Sequence, residues 1–173
     1  MGFNFSFRLA EDRKEVSELE KFLRHQPLNY PFFNDWVDRT IQEILSGYKK
    51  VIVAFNNNIL IGNAIYQPHK TLSRVREIKN VRVHPRLQHR GFSYFMIKQA
   101  ETYRQEDFDL IICDASSNNL PANRLLKGMG YEEIARAPLY GSNQEEVVYI
   151  KRFERTPSGI FIPIKNLISS HAL

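Results

Sequence analysis

The run Gln88-His89-Arg90-Gly91-Phe92-Ser93 stands between a strand-like apolar segment and a helix-like one, and its residue types suit an anion. Backbone N–H groups at a helix start have no intrahelical partner, and the helix dipole places partial positive charge there. Gly91 lets the main chain turn and approach a phosphate, and Ser93 is small enough to leave the next approach open. Arg86, His89 and Arg90 add donors beside them. Neither a phosphate loop ending in Gly-Lys-Ser/Thr nor a Gly-x-Gly-x-x-Gly fingerprint is present, so mononucleotide and dinucleotide folds lose ground. Other reactive side chains read as structural. Cys113 lies in the apolar run Leu110-Ile111-Ile112-Cys113, the setting of a small buried side chain rather than a nucleophile. His25, His69, His84, His89 and His171 show no metal-ligand spacing, so no metal is expected. The pairs Glu132-Glu133 and Glu145-Glu146 fall at strand and hairpin edges and read as solvated.

The elements that must position the loop follow from periodicity. A strand is expected over Phe3 to Arg8, where Phe3, Phe5 and Phe7 alternate with polar residues. The same alternation outweighs the loose match of Gly2 and Ser6 to a myristoylation signal. Val16, Leu19, Phe22 and Leu23 recur at helical spacing up to Pro27, and Phe33, Trp36, Val37, Ile41, Ile44 and Leu45 mark a second helix that stops at Gly47. Val51 to Phe55 and Ile59 to Tyr66 form a hairpin through Asn56-Asn57-Asn58, and Val75 to Val83 is a third strand leading into the loop. Beyond it come a helix carrying Phe92, Phe95, Met96, Ala100 and Tyr103, a strand over Leu110 to Ala115, and a short helix opened by Pro121 and closed by Gly128 and Gly130. Strands over Ile134 to Leu139 and Val147 to Phe153 close the series around Gly141-Ser142-Asn143. In Ile160-Phe161-Ile162-Pro163-Ile164 the proline confines the chain to a sheet edge or an extended arm.

At 173 residues one domain is expected over 1–153, followed by an extension over 154–173. Apolar residues make up 43% and charged residues 25%, which is a globular balance. The net charge of +5 welcomes an anionic ligand but falls far short of a nucleic-acid-binding tail, and no stacking or groove-reading motif accompanies it. A single cysteine, with no apolar span or leader, points to a reducing, cytoplasmic setting and no membrane.

Two motifs carry a resemblance. Gln88-His89-Arg90-Gly91-Phe92-Ser93 matches the Gln/Arg-x-x-Gly-x-Gly/Ala pyrophosphate loop of the GNAT superfamily of acyl-CoA-dependent N-acyltransferases, with serine in the last position. Asn119-Leu120-Pro121-Ala122-Asn123-Arg124-Leu125-Leu126-Lys127-Gly128-Met129-Gly130-Tyr131 is similar to that family's second signature, Asn-x-x-Ala-x-x-Leu-Tyr-x-x-x-Gly-Phe. The resemblance implies a mixed α/β (α+β) fold: a mostly antiparallel sheet of about seven strands with one parallel, splayed pair and helices on both faces. It implies acetyl-CoA as cosubstrate and no metal. Val81, Arg82 and Val83 would pair with the pantetheine arm, the loop from Gln88 through His89, Arg90, Gly91, Phe92 and Ser93 to Tyr94 would hold the pyrophosphate, and Asn119 would contact the CoA arm.

Glu77, eleven residues before Gln88, falls where similar lysine acetyltransferases carry a general base, so it is the expected base, with a structural ion pair to Arg74, Arg76 or Lys79 as the competing account. Leu126 occupies the place where many members carry a tyrosine acid. Tyr94, Tyr131, Ser116 or Ser117 could serve instead, or the thiolate could leave without a dedicated acid. The expected activity is transfer of an acetyl group to a primary amine, small molecule or peptide, by direct attack. The alternative is a non-catalytic CoA-binding module, and nucleic-acid binding ranks last. Tyr30, Phe32 and Phe33 are candidates to line the acceptor site, and the tail from Glu154 is a candidate to close a homodimer or cover that site.

Overall fold

The computed structural model describes residues 4–28, 31–141, 144–155 and 161–163. Its elements are β1 (Phe5–Leu9), α1 (Arg13–Arg24), α2 (Phe33–Leu45), β2 (Lys50–Asn56), β3 (Ile59–Pro68), β4 (Val75–Val83), α3 (Phe92–Thr102), β5 (Leu110–Ser116), α4 (Leu120–Gly128), β6 (Glu132–Ala137), β7 (Glu146–Arg155) and β8 (Phe161–Pro163). Strand order is β1-β2-β3-β4-β5-β7-β6, with β8 on β7. β4 and β5 pair in parallel, while β1 with β2, β2 with β3, β5 with β7, β6 with β7 and β7 with β8 are antiparallel. This is the mixed α/β class with a seven-strand, mostly antiparallel sheet that the two motifs imply. No helix among the described residues is long and apolar enough to cross a membrane.

The chain divides into two compact units, Met1–Gln67 with Lys79–Thr102, and Pro68–Ile78 with Tyr103–Leu173. In the first, Asp12 caps α1 by accepting from the Glu15 N–H at 2.9 Å, and Arg8 Nη1 donates to Glu15 Oε2 at 3.0 Å. Val16, Leu19 and Leu23 of α1 and Phe33, Val37 and Ile41 of α2 form one core with Val51, Val53, Phe55, Leu60 and Ile65 of the hairpin. Asn57 and Asn58 both take left-handed φ, 49° and 67°, as a tight hairpin of right-handed twist requires. Because Ala54 opposes Gly62 but Phe55 opposes Leu60, Ile61 is an extra residue in β3, and its carbonyl accepts from His84 N–H at 2.7 Å. On α3, Phe92 and Met96 are buried, and Phe92 packs on Phe5 and Phe7 at 4.9 and 5.8 Å. Phe95, expected in that helix's apolar face, is 51% exposed, because Ile97 and Ala100 complete the buried stripe instead. The expected start of β1 at Phe3 lies outside the described residues, as does Tyr30.

In the second unit β7 runs between β5 and β6. β6 begins two residues earlier than the apolar run Ile134 to Leu139 suggested, since Ile134 is the extra residue of a bulge and points to solvent. Glu146, read from sequence as solvated, is 1% exposed: it opens β7 opposite Ser116 on one side and Ala137 on the other. β8 pairs with the C-terminal end of β7, with Phe153 opposite Pro163. Ser142, Asn143 and most of the tail, His171 included, lie outside the described residues.

Candidate active site

The loop expected from sequence to hold an anion lies in the first unit. His84 opens a tight turn in which its carbonyl accepts from Leu87 N–H at 2.8 Å and its Nδ1 from Arg86 N–H at 3.3 Å. Gln88 then donates its side-chain amide back to the Val83 carbonyl at 3.3 Å, bracing the loop on the end of β4. Sequence motifs placed Gln88 among anion-holding residues; the structure adds this bracing role, which a motif cannot show. His89 and Gly91 both take left-handed φ, 61° and 81°, on either side of Arg90, and α3 begins at Phe92. Alternating hand in successive residues turns main-chain N–H groups into one concavity. The N–H groups of Phe92, Ser93 and Tyr94 precede the first helical bond, from Phe95 N–H to the Gly91 carbonyl at 3.2 Å. His89, Arg90 and Gly91 are exposed, Ser93 is half-buried and Tyr94 is exposed. Phe92 is committed to packing on β1, so only its N–H is available to a ligand.

Three residues of β4 end differently. Val81 is half-buried and Val83 buried. Arg82, placed by sequence on the cofactor strand, sends its guanidinium into the α1–α2 core, where Nη1 donates to the carbonyls of Leu23, at 3.3 Å, and Gln26. Its charge lies 5.1 Å from the Phe33 ring centre. The pull comes from carbonyls in the last turn of α1 and just beyond it, where the helix dipole has its negative end. Only the backbone of Arg82 is therefore left for a cofactor.

The second unit holds the other predicted residues. Glu77 is half-buried on β4 opposite Ile112. Asn119 caps α4, its Oδ1 accepting from Ala122 N–H at 3.2 Å, so the cap leaves only its Nδ2 donors for an arm. Sequence reasoning missed its neighbour. Asn123, 9% exposed, donates to the carbonyls of Ser116 and Asn119, both at 2.9 Å, and accepts from the Tyr149 hydroxyl at 2.9 Å. This network closes the β5–α4 turn and ties it to β7. Burial pushes the Tyr149 hydroxyl above its usual range, so it stays a neutral donor. Leu126 is buried, as is Tyr131, while Ser116 and Ser117 are half-buried. Cys113 is a buried free thiol.

An acetyltransferase (GNAT) family model matches residues 12–131, well over half of the chain. The chain belongs to the GNAT family. No curated protein matches it in sequence. Solved structures of low identity share the GNAT fold. A GNAT-family protein from Desulfovibrio desulfuricans is 16% identical and superposes with a TM-score of 0.74 over 86% of this chain and 99% of its own. YncA from Salmonella typhimurium, solved with its cofactor acetyl-CoA, is 16% identical, with a TM-score of 0.69 over 90% of this chain and 98% of its own. Arabidopsis thaliana NAA60, solved in complex with a bisubstrate analogue, is 18% identical, with a TM-score of 0.69 over 85% and 97%.

Proposed function

We propose that the protein transfers the acetyl group of acetyl-CoA to a primary amine. The observation that carries this reading is the loop at the start of α3, where left-handed His89 and Gly91 gather main-chain N–H groups beside Arg86 and Arg90 in a chain of the GNAT family. The cosubstrate fits there because Gly91 presents no side chain at the turn and an added Cβ would meet nothing closer than Phe95 at 3.7 Å, so the concavity is open. The N–H groups from Gln88 to Tyr94 hold the pyrophosphate, and the backbone at Val81, Arg82 and Val83 pairs with the pantetheine arm. YncA with acetyl-CoA and NAA60 with a bisubstrate analogue support that cosubstrate. Acetyl-CoA supplies the acyl group, which passes from sulfur to the amine nitrogen as the C–S bond breaks, and the ammonium gives up two protons. Glu77 accepts the one lost before attack, and the one lost from the acylated nitrogen balances the proton gained by the departing sulfur. A dedicated acid at position 126 is ruled out by the leucine there, and the exposed hydroxyl of Tyr94 or water returns a proton to the sulfur.

Thiol release over a panel of amines tests the activity. With Glu77→Gln the rate near neutral pH falls by roughly 10² to 10⁴ if Glu77 is the base, and an unchanged rate removes it from the mechanism. A second reading, a CoA-binding module without catalysis, rests on buried Leu126. It predicts a shift in melting temperature with CoA and no thiol release with any amine.

A further inference from the structure

Register places a second set of acids on the face of the sheet that carries Glu77. Residues directly opposite in paired strands point to the same side, and each strand alternates. Glu77 opposes Ile112, Asp114 lies two residues along β5, and Ser116 opposes Glu146. Glu77, Asp114 and Glu146 therefore share one face, all within the second unit. Cys113 and Tyr149, with the α4 network, take the other. From strand rise and spacing, Asp114 lies about 8 Å and Glu146 about 16 Å from Glu77, Cα to Cα.

The Asp114–Glu146 end is built for a positive group. Glu146 is 1% exposed, and its Oε2 is buried with no hydrogen-bond donor, while Oε1 accepts from Gln144 at 2.7 Å. Asp114 is half-buried and accepts from the Tyr140 hydroxyl at 3.1 Å. One oxygen of Glu146 thus meets a neutral donor and the other meets none, where a cation would be expected. A buried carboxyl lacking a donor costs stability unless something repays it. Its cross-strand neighbours, Ser116 and Ala137, are small. Two carboxyls on one face suit an organic ammonium, whose three N–H donors can meet oxygens of both.

Resting on the acetyl-transfer reading of the same face, we infer that the acceptor is a primary amine carrying a second, distal cationic group, which Asp114 and Glu146 bind while Glu77 faces the attacked nitrogen. Aliphatic diamines are the simplest members of this class. Rates of thiol release are compared for diaminohexane and hexylamine, which share a chain length and differ by one ammonium. Wild-type kcat/KM favours the diamine by about tenfold or more. In Glu146→Gln the ratio collapses toward one, and Asp114→Asn, a half-buried site, provides the same reading should the first variant not fold. Equal rates in the wild type, or a ratio preserved in the variants, overturns the inference. Acetylation of neither amine sinks the acetyl-transfer reading instead, and the acid pair is then judged by thermal shift without acetyl-CoA: stabilisation by diaminohexane beyond that by hexylamine supports it, and equal shifts overturn it.

Discussion

Gly62 shows how a single residue carries part of the loop's support. A Cβ added there would lie 2.7 Å from the Arg82 carbonyl oxygen and 3.1 Å from Met96 Cε. The first neighbour is backbone at the end of β4, so the strand carrying Val81 and Val83 must shift. Gly62→Ala is expected to cost about 1–3 kcal/mol and to weaken acetyl-CoA binding along with it, read by denaturant unfolding and by calorimetry. Glu146 behaves in the opposite sense. Its carboxyl is held above the usual range by burial and then by the charge of Asp114. The folded state thus keeps its proton at a pH where the unfolded chain has lost it, and stability falls as pH rises from 4.5, the ordinary value, through that raised one. Glu146→Gln removes this slope and raises the melting temperature near neutral pH, and a lower one would contradict it. A group kept at a cost to stability is what a binding role for the acid pair requires.

Among elements, α4 is held by two different devices. Asn123 and Tyr149 bind it to β5 and β7 from within, so Tyr149→Phe, which leaves the Asn123 carbonyl without its donor, is expected to cost about 1–3 kcal/mol, measured by thermal unfolding. At the surface Lys127 pairs with Glu133 at 3.0 Å and Arg136 with the same carboxylate at 2.7 Å. Arg136 first and Lys127 second pull Glu133 down to about 2. Its contribution is present above pH 4.5 and lost as pH falls toward 2, so acid unfolding of Glu133→Gln should show less pH dependence in that window than wild type. Salt should narrow the difference, because the pair is exposed. The elements were largely legible. Helices followed from 3.6-residue periodicity and the hairpin from its asparagines, whereas β6 was displaced because an apolar residue at a bulge faces water and breaks the link between hydrophobicity and burial.

Across the molecule, the cosubstrate reading makes one thermodynamic claim. Acetyl-CoA at ~100 times its dissociation constant should stabilise the chain by about 2.7 kcal/mol, visible as a rise in melting temperature that an equal concentration of acetate does not give. The family, the mixed sheet and the loop of Gln88 to Tyr94 were all readable from residue types at fixed spacing, since a phosphate cradle depends on local backbone and needs few distant partners. Side-chain destinations were not. Arg82 turns to the carbonyls of α1, fifty-six residues away from Gln26 in the chain, and Glu146 is buried because β7 enters between two other strands. Local sequence thus determined the loop to which we assign the pyrophosphate. Only tertiary pairing decided that Glu77, Asp114 and Glu146 share a face, because that face is a property of strand register, which no single strand encodes.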